Sequence, residues 1–423
     1  MSSERGRQPD EAYVWIWLPQ ATEPVVAGRL HVTGDLINFN YGQSYLGRDE
    51  AIPLYLPELP LQLGLISPLD GMTVAGCISD AMPGAWGQRV IMQLLLGEGA
   101  RAADADPAAF GPLTYLLESA SDRIGALDVQ ASPETYVARG EDGASLEELQ
   151  RAASLVDERK PLSSGLDRVL LHGSSVGGAR PKALLANGER RLIAKFSSSA
   201  DTYAVVKGEF AAMELAARVG LDVAKVELEE SMGKDVLLVE RFDRDRVGGV
   251  ERRRAIVSAL TMLELDEMQA RYASYADLAQ IVRERFTAPR ATLRELFARI
   301  VFNVLVGNTD DHARNHAAFW DGEALTLTPA YDVCPQPRSG GEASQAMQIA
   351  PSGYRMSQLS GCVEAAATYL LNPVEAREIV DHQIETIESQ WSEVCDLARM
   401  SEAERAYFWR RQFLNAYALE GYL

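Results

Sequence analysis

The sequence is poor in cysteine and contains no long apolar run. Its four cysteines, among 423 residues, are scattered, and no two of them form a C-x-x-C pair. This spacing argues against a disulfide scaffold and a cysteine-based zinc site, so we expect free thiols in a reducing compartment. No apolar stretch approaches the ~18 residues that a membrane-spanning helix needs, and no signal-peptide core is expected at the N-terminus. A cytoplasmic protein is expected.

Positive charge is also scarce. The chain has 41 Lys and Arg residues against 60 Asp and Glu, which gives a formal net charge of −19 and a pI near 4.8. This charge disfavours direct binding of nucleic acid, because basic groups are needed opposite the phosphates. The local exception is a group of arginines between residues 241 and 254, which we interpret as a solvated basic turn in preference to a docking patch.

The sequence does contain polar residues with a spacing typical of phosphoryl transfer. Asp310 and Asn315 lie five positions apart, and Asp332 follows later in the chain. In protein kinases an Asp orients or deprotonates the attacking hydroxyl, while an Asn five residues later and a further Asp hold Mg²⁺ on the phosphates. A helix with apolar residues at i, i+3, i+4 and i+7 precedes the loop, and Gly307 can end it. We expect the four polar residues 308–311 to need solvent, a metal or a ligand as partners.

A glycine-containing loop and a strand with an inward lysine lie upstream. The loop, residues 173–182, leads into a predicted hairpin whose Asn187-Gly188 pair is a type I′ turn signal. The second strand carries Lys195. Small residues in such a loop let backbone N–H groups approach phosphates, and Lys195 would then reach the α- and β-phosphates. A surface hairpin with an ordinary exposed lysine is the alternative interpretation.

The segments after this hairpin also fit an ATP-binding lobe. Residues 206–220 predict a helix, and Glu209 near its first turn could pair with Lys195. A solvated glutamate favoured by the helix dipole is the alternative. A buried strand follows and ends in a polar segment at residues 240–244, where we expect a hinge between two lobes.

In this order, the motifs resemble those of HipA-type serine/threonine kinases, the toxins of bacterial toxin–antitoxin modules. The resemblance covers nearly the whole chain, because two N-terminal segments resemble the family's N-terminal subdomain. The matching segments are residues 45–48, 80–87, 175–182, 192–195, 239–244 and 309–315 and the pair Tyr331-Asp332.

The resemblance implies a role for each matching position. Asp310 would be the catalytic base, and Asn315 and Asp332 would be Mg²⁺ ligands. The loop residue Ser175 would be autophosphorylated, with Ser174 as a competing site. The residues expected to contact or frame ATP are Gly177, Gly178, Ala179, Arg180, Lys182, Lys195, Glu209, Glu240, Phe242, His312 and Tyr331.

The implied fold is α+β and kinase-like, with a small β-rich ATP lobe, a large helical C-terminal lobe and a β-rich N-terminal subdomain. The expected boundaries are 1–110 for the N-terminal subdomain, 111–243 for a connecting segment with the ATP lobe, and 244–423 for the helical lobe. The implied function is ATP- and Mg²⁺-dependent phosphorylation of a Ser or Thr in a translation component, such as an aminoacyl-tRNA synthetase. The implied partner is a HipB-like helix-turn-helix antitoxin, and any DNA contact would be indirect, through it.

Two other functions stay open at this point. A small-molecule phosphotransferase would need an acidic, concave acceptor site, which the sequence does not exclude. A catalytically silent pseudokinase would act as a co-repressor bound to a DNA-binding antitoxin. The intact Lys195, Asp310, Asn315 and Asp332 argue against this second alternative.

Overall fold

The computed structural model describes residues 8–96, 106–140, 143–158, 160, 166–338 and 341–422. Its strands are β1 Glu11–Ile16, β2 Val25–Thr33, β3 Leu36–Tyr41, β4 Leu127–Gln130, β5 Lys182–Asn187, β6 Arg190–Phe196, β7 Val226–Ser231, β8 Lys234–Glu240, β9 Arg244–Val247, β10 Val250–Arg253, β11 Ile256–Ser258, β12 Ala317–Trp320 and β13 Leu325–Leu327.

The α-helices are α1 Gln43–Leu46, α2 Gly76–Ser79, α3 Ala85–Leu96, α4 Pro112–Glu118, α5 Leu146–Asp157, α6 Leu166–Ser174, α7 Val205–Arg218, α8 Ala259–Met262, α9 Tyr275–Arg285, α10 Pro289–Val306, α11 Leu359–Glu364, α12 Pro373–Leu397, α13 Glu402–Phe408 and α14 Ala416–Leu419. Short 3₁₀ helices span Pro107–Ala109, Glu267–Tyr272, Ala313–Asn315 and Ala366–Tyr369. No helix in these described segments is both long enough and apolar enough to cross a membrane.

The N-terminal unit is built on an antiparallel sheet with the order β3-β2-β1-β4. Alternate residues of β1 face its core, and Val14 is fully buried. The sheet continues past the expected boundary at residue 110, because β4 pairs with β1 and places Gln130 opposite Tyr13. Part of the segment before that boundary, residues 97–105, lies outside the described residues.

The expected ATP lobe contains a second antiparallel sheet, with the order β5-β6-β8-β7. The predicted hairpin is present, and it places Lys182 opposite Lys195. The type I′ turn predicted at Asn187-Gly188 is wrong. Asn187 still pairs with Arg190, so the two-residue loop is Gly188-Glu189, and of these two only Gly188 has a positive φ, of 59°. A type I′ turn requires positive φ at both loop residues.

Helix α10 is the packed element from which the candidate catalytic loop extends. The apolar stripe predicted from the sequence is buried, with Leu293 and Leu296 both 0% exposed. Gly307 ends the helix in the left-handed conformation, with φ of 70°, which glycine adopts without steric cost. Strand β12 follows the loop and pairs with β11 and β13. This small sheet lies within a part of the chain that was predicted to be helical.

The arginines between residues 241 and 254 do not form a solvated basic turn. The side chains of Arg241 and Arg244 are 1% and 2% exposed, and both pair with the carboxylates of Asp122 and Asp243. Asp122 lies more than a hundred positions upstream, so local sequence gave no sign of the pairing. These ion pairs connect the segment before β4 to the expected hinge.

Two neighbouring arginines stack on aromatic rings. The guanidinium carbon of Arg253 lies 3.6 Å from the ring centroid of Trp17, and that of Arg254 lies 3.2 Å from the ring centroid of Phe319. Such cation–π contacts stabilise a desolvated guanidinium. The arginine group therefore fastens the N-terminal unit to the rest of the chain, and neither the solvated turn nor a free docking patch describes it.

Candidate active site

The centre of the candidate site is Lys195, whose ammonium group lies between two carboxylates. It donates hydrogen bonds to Glu209 on α7 and to Asp332, which follows β13. The Lys195 and Glu209 side chains are 12% and 4% exposed, whereas Asp332 is 41% exposed. Glu209 is therefore not the solvated helix-start glutamate of the alternative interpretation. Asp332 has a left-handed backbone with φ of 59°, a strained conformation that occurs often at functional sites.

The charges in this group shift one another's pKa. The Lys195 ammonium holds the pKa of Asp332 well below its usual range. Burial opposes the charge on Lys195, but Asp332 and Glu209 together raise the pKa of the ammonium above its ordinary value. Lys195 is therefore a permanent cation that faces the partly exposed Asp332 carboxylate.

Asp310 lies on the exposed surface of the loop that follows α10. Partial desolvation raises the pKa of its carboxyl group above the ordinary value. His312 opposes this shift, and the negative charges of Asp332 and Asp311 add to it. A carboxylate with a raised pKa accepts a proton more readily, which suits a general base.

The neighbouring Asp311 is buried and anchors the loop. Its Oδ2 atom accepts hydrogen bonds from the Tyr275 hydroxyl, from Asn303 Nδ2 at 2.6 Å and, with the ring nitrogen protonated, from His316 Nε2 at 2.8 Å. Asn308 Nδ2 donates to Asn303 Oδ1 at 2.9 Å. The expectation that residues 308–311 need solvent, a metal or a ligand is therefore wrong for Asn308 and Asp311, because the protein itself supplies their partners.

Asn315 and Tyr331 flank the same loop. Asn315 is 8% exposed and ends the 3₁₀ turn, with its backbone N–H donating to the His312 carbonyl at 2.8 Å. The Tyr331 hydroxyl donates to the Arg314 carbonyl at 2.6 Å. Arg314 pairs with Asp80 of the N-terminal unit at 3.3 Å. The loop is thus tied to the segment before Asp332 and to the N-terminal unit.

The glycine loop is held by contacts on its carbonyl groups. Lys182 Nζ donates to the Gly177 carbonyl at 2.7 Å, and the Gly178 and Ala179 carbonyls accept from Trp86 N at 3.0 Å and Arg89 Nη2 at 2.7 Å. Gly178 has a positive φ of 92°, a backbone conformation that is unfavourable for any residue with a side chain.

Lys182 is 7% exposed, and its charge state is perturbed. Burial, with a further contribution from Lys195, lowers its pKa to about 8. Arg180 lies at the end of the loop and pairs with both carboxylate oxygens of Asp201, at 2.6 and 2.7 Å. Its predicted contact with phosphate would have to compete with this bidentate pair.

The two loop serines are buried. Ser175 is 2% exposed, and its Oγ donates to the Asp122 carbonyl at 3.0 Å. Ser174 is 0% exposed, and its Oγ donates to the Leu171 carbonyl at 2.8 Å. Neither hydroxyl can accept a phosphoryl group in this conformation of the loop.

The expected hinge contains Glu240 and the aromatic ring of Phe242, both of which are expected next to the nucleotide. Glu240 pairs with Arg190 at 3.4 Å. The half-buried Phe242 ring lies 5.7 Å from the Tyr331 ring and 5.9 Å from the Phe319 ring, measured between centroids. Phe242 and Tyr331 therefore form one aromatic surface shared by the two expected lobes.

Sequence reasoning missed Asp311 and Asp80. A signal for Asp311 was present, because Asn303 is a polar residue within the apolar stripe of α10 and needs a buried partner. Asp80 accepts hydrogen bonds from the Ser258 backbone N–H and from Thr261 Oγ1 in addition to its pair with Arg314. These partners are far away in the sequence, and no local pattern connects them.

The residues expected to hold Mg²⁺ have suitable chemistry. Among the described residues, no group of three or more His, Cys, Asp or Glu side chains could hold a metal ion. Mg²⁺ is commonly bound by one or two protein oxygen ligands, with water and substrate phosphates completing the shell. Asp332 and Asn315 offer a carboxylate and an amide oxygen, so this pair fits Mg²⁺ that enters together with a nucleotide.

Comparisons with known proteins relate this chain to one family. The family model for the HipA-like C-terminal domain matches residues 174–391. The putative kinase Y4mE of Sinorhizobium fredii is 30% identical over 190 residues, which cover 41% of this chain and 44% of the relative. The serine/threonine-protein kinase toxin HipA of Shewanella oneidensis is 28% identical over 183 residues, which cover 38% and 42%. The chain thus spans about half the length of the curated relatives it matches.

The fold comparison covers almost the whole chain. A chain in the solved complex of the Shewanella oneidensis MR-1 toxin–antitoxin system, with HipA, HipB and operator DNA, has a TM-score of 0.65 and 20% identity, with 92% of this chain and 93% of that chain covered. The predicted α+β, kinase-like fold is thereby confirmed. The family match includes more than half of the 423 residues, and the chain belongs to the HipA-type kinase family.

Proposed function

We propose that this protein is an ATP- and Mg²⁺-dependent kinase that transfers the γ-phosphoryl group to a Ser or Thr hydroxyl of a protein. The observation that carries the proposal is the convergence of Lys195, Glu209 and the partly exposed Asp332 in one ion-pair group. The charge of Asp332 also contributes to the raised pKa of Asp310. A kinase site needs a cation for the phosphates, carboxylate and amide oxygens for the metal, and a base for the acceptor.

Lys195 would hold the α- and β-phosphates. Its charge is compensated in the structure by Asp332 and Glu209. An incoming phosphate would replace Asp332, whereas Glu209 on the buried helix would keep the lysine in place. Bound Mg²⁺ would neutralise charge on the phosphates, and Asp332 and Asn315 would be its protein ligands.

Asp310 would orient and deprotonate the acceptor hydroxyl. Its raised pKa favours proton uptake, and its exposed position leaves room for a protein substrate. The anchor Asp311 would keep the loop in place while Asp310 stays free of competing hydrogen bonds. Exposure of the base favours a macromolecular acceptor over a small molecule, which would need an enclosing pocket.

The remaining residues would bind the nucleotide. Gly177, Gly178, Ala179, Arg180 and Lys182 would surround the phosphates, although Arg180 would first have to leave Asp201. The adenine would lie against Glu240 and Phe242 at the hinge, with His312 and Tyr331 close to the nucleotide. Phe242 and Tyr331 already share an aromatic surface.

Autophosphorylation of Ser175 would act as a switch. The Ser175 hydroxyl is buried and bonded to the Asp122 carbonyl, so the loop would have to leave its present position before the transfer. A phosphate adds about two negative charges at neutral pH, which would prevent the loop from returning next to Asp122 and the phosphates of ATP. Phosphorylated protein would then bind ATP poorly.

The protein target and partner follow from the family. A translation component such as an aminoacyl-tRNA synthetase is the proposed substrate, and a HipB-like antitoxin is the proposed partner in the cytoplasm. The antitoxin would provide any contact with DNA, since this chain carries a net charge of −19. The proposed units keep the boundaries 1–110, 111–243 and 244–423, with β4 contributed to the first unit by the second.

Calorimetric titration with ATP tests the nucleotide part of the proposal. We expect binding with Mg²⁺ and little binding without it, because an uncompensated triphosphate is repelled by Asp332 and Asp310. Asp332→Ala should lose the dependence on Mg²⁺ along with most of the affinity. Equal affinity of wild-type protein with and without Mg²⁺ would refute the assignment of Asp332.

A further inference from the structure

Residues 408–414 contact both halves of the candidate site, and we call them the C-terminal bracket. The ring of Phe408 lies against Gly208, the residue before Glu209 on α7. A Cβ atom on Gly208 would lie 2.7 Å from Cζ and 2.8 Å from Cε1 of Phe408. Carbon atoms pack at about 3.5–4.0 Å, so the ring leaves room only for glycine at this position.

The other end of the bracket contacts the origin of the catalytic loop. The Leu414 backbone N–H donates to the Leu305 carbonyl on α10 at 2.7 Å. A Cβ atom on Gly307 would lie 2.8 Å from the Gln412 carbonyl oxygen, so the two backbones are in direct contact. Phe408 and Leu414 are both 0% exposed. One short segment, buried at both of its ends, therefore touches the helix of Glu209 and the start of the loop that carries Asp310.

Charged contacts fasten α7 to the same part of the chain. Lys207 Nζ donates to the Arg399 carbonyl at 3.0 Å and pairs with Glu404 at 3.1 Å. At the end of the helix, Arg218 Nη2 pairs with Glu393 at 2.9 Å. The helix is thus held at both ends as well as at Gly208, and it cannot swing away from the helical lobe without breaking all three contacts.

We propose that the C-terminal bracket fixes the distance between Glu209 and the catalytic loop, with Phe408 as its positioning residue. The pair of Lys195 with Glu209 is then formed whether or not a nucleotide is bound. In kinases that are controlled by movement of this helix, the pair breaks in the inactive state. Here the helix is packed into a rigid interior, so activity is not controlled by helix movement. This inference rests on the proposed function.

The test adds side-chain volume at Gly208 and removes it at Phe408. Alanine ordinarily strengthens a helix relative to glycine, so Gly208→Ala should lower activity only if the contact with Phe408 matters. We expect kcat/KM for ATP to fall by about tenfold or more, with a raised KM. Phe408→Leu removes the Cε and Cζ atoms, and the double variant should recover to within about threefold of Phe408→Leu alone.

Gly143→Ala is the matched control, because among the described residues none beyond its chain neighbours lies within 4 Å of a Cβ atom at Gly143. Its kinetics should equal those of the wild type. A role of Phe408 in overall stability alone would lower the melting temperature and leave kcat/KM of the folded protein unchanged. If Gly208→Ala does not fold, Phe408→Leu alone decides, and a KM for ATP equal to the wild type would overturn the proposal.

Lys195→Met, measured in parallel, separates this proposal from the proposed function. Persistent phosphoryl transfer by Lys195→Met would refute the proposed function itself. Loss of transfer in Lys195→Met, together with wild-type kcat/KM in Gly208→Ala and Phe408→Leu, would refute the bracket and leave the proposed function intact. We expect phosphoryl transfer to be lost in Lys195→Met and lowered in Gly208→Ala. We expect it to recover in the double variant Gly208→Ala with Phe408→Leu.

Discussion

The ammonium group of Lys195 donates a hydrogen bond to Asp332, joining the sheet of the ATP lobe to the segment after β13. This bond neutralises the carboxylate that we assign to Mg²⁺. Nucleotide binding would replace the pair of Lys195 with Asp332 by two new ones. Lys195 would then pair with the phosphates, and Asp332 would bind the metal. Under the proposed function, the charge of the site would stay compensated when ATP binds.

We predict that Lys195→Met both destabilises the protein and abolishes phosphoryl transfer. Removing one partner of a buried ion pair leaves an unpaired buried charge, which typically costs about 3–5 kcal/mol. The double variant with Glu209→Gln should regain most of the free energy of unfolding, because the buried carboxylate is gone, but it should remain inactive. Denaturant unfolding and a transfer assay on both variants test this. Activity in the double variant would show that Lys195 does not serve the phosphates.

The adjacent Asp310 and Asp311 should respond in opposite ways to the same substitution. Asp310→Asn removes the base but no hydrogen bond of the fold, so we expect a normal melting temperature and a loss of roughly 10²–10⁴ in turnover. Asp311 accepts hydrogen bonds from Tyr275, Asn303 and His316. Asp311→Asn replaces this carboxylate by a neutral amide with only one acceptor oxygen, and we expect destabilisation of about 1–3 kcal/mol. Thermal melts and initial rates separate the two effects. Near wild-type turnover of Asp310→Asn would exclude Asp310 as the base.

The sequence predicted the elements around the site better than the contacts between them. The stripe on α10 and the glycine after it repeat with helical periodicity, so they were recognisable locally. The loop with the carboxylates and the strand with Lys195 were also recognisable locally, because family motifs have a fixed spacing. Each of these signals lies within one short stretch of the chain, where local geometry determines the structure.

Contacts over long sequence separations were not predictable in the same way. Arg241 looked like part of a solvated basic turn because its partner Asp122 is more than a hundred residues upstream. Strand β4 pairs with β1 across a similar separation, so no local pattern indicated that a strand from beyond residue 110 would join the N-terminal sheet. The turn after β5 was assigned to the wrong pair because Asn-Gly is a strong local signal, whereas the register of β5 and β6 decides the loop.

Lys182 should take up a proton when ATP binds. Its pKa is lowered to about 8 by burial and by Lys195, so at pH 8 about half of the molecules carry the neutral amine. A phosphate close to Lys182 would raise the pKa and bind roughly half a proton per site at that pH. Calorimetry in buffers with different ionisation enthalpies measures this uptake, and Lys182→Met is the control. No uptake at pH 8 would place Lys182 away from the phosphates.

The same lysine predicts a dependence of stability on pH. A lysine with a lowered pKa in the folded state binds fewer protons than the unfolded chain between about pH 8 and pH 10.4. The charged form of Lys182 therefore destabilises the folded state, and the free energy of unfolding should rise as this penalty is lost with increasing pH through the window. The difference between wild type and Lys182→Met in chemical unfolding, measured at pH 7.5 and near pH 10, reports this contribution. A difference that does not change with pH would contradict the lowered pKa.

Incubation with Mg·ATP should place a phosphate on Ser175. The modified protein should bind ATP at least about tenfold more weakly, because two like charges meet at the loop. Peptide mapping distinguishes Ser175 from Ser174, and Ser175→Ala should stay active for longer because it cannot switch off. Phosphate on Ser174 alone, or unchanged ATP affinity of protein phosphorylated on Ser175, would contradict the switch.

Transfer of labelled γ-phosphate from ATP tests the central claim most directly. Purified wild-type protein, Asp310→Asn and Asp332→Ala are incubated with Mg·ATP, alone and with a cytoplasmic lysate, and acid-stable phosphoserine and phosphothreonine are quantified over time. We expect labelled protein in the wild-type samples and a fall of roughly 10²-fold or more in both variants. No labelled Ser or Thr with the wild type, or equal labelling in all three proteins, would contradict it.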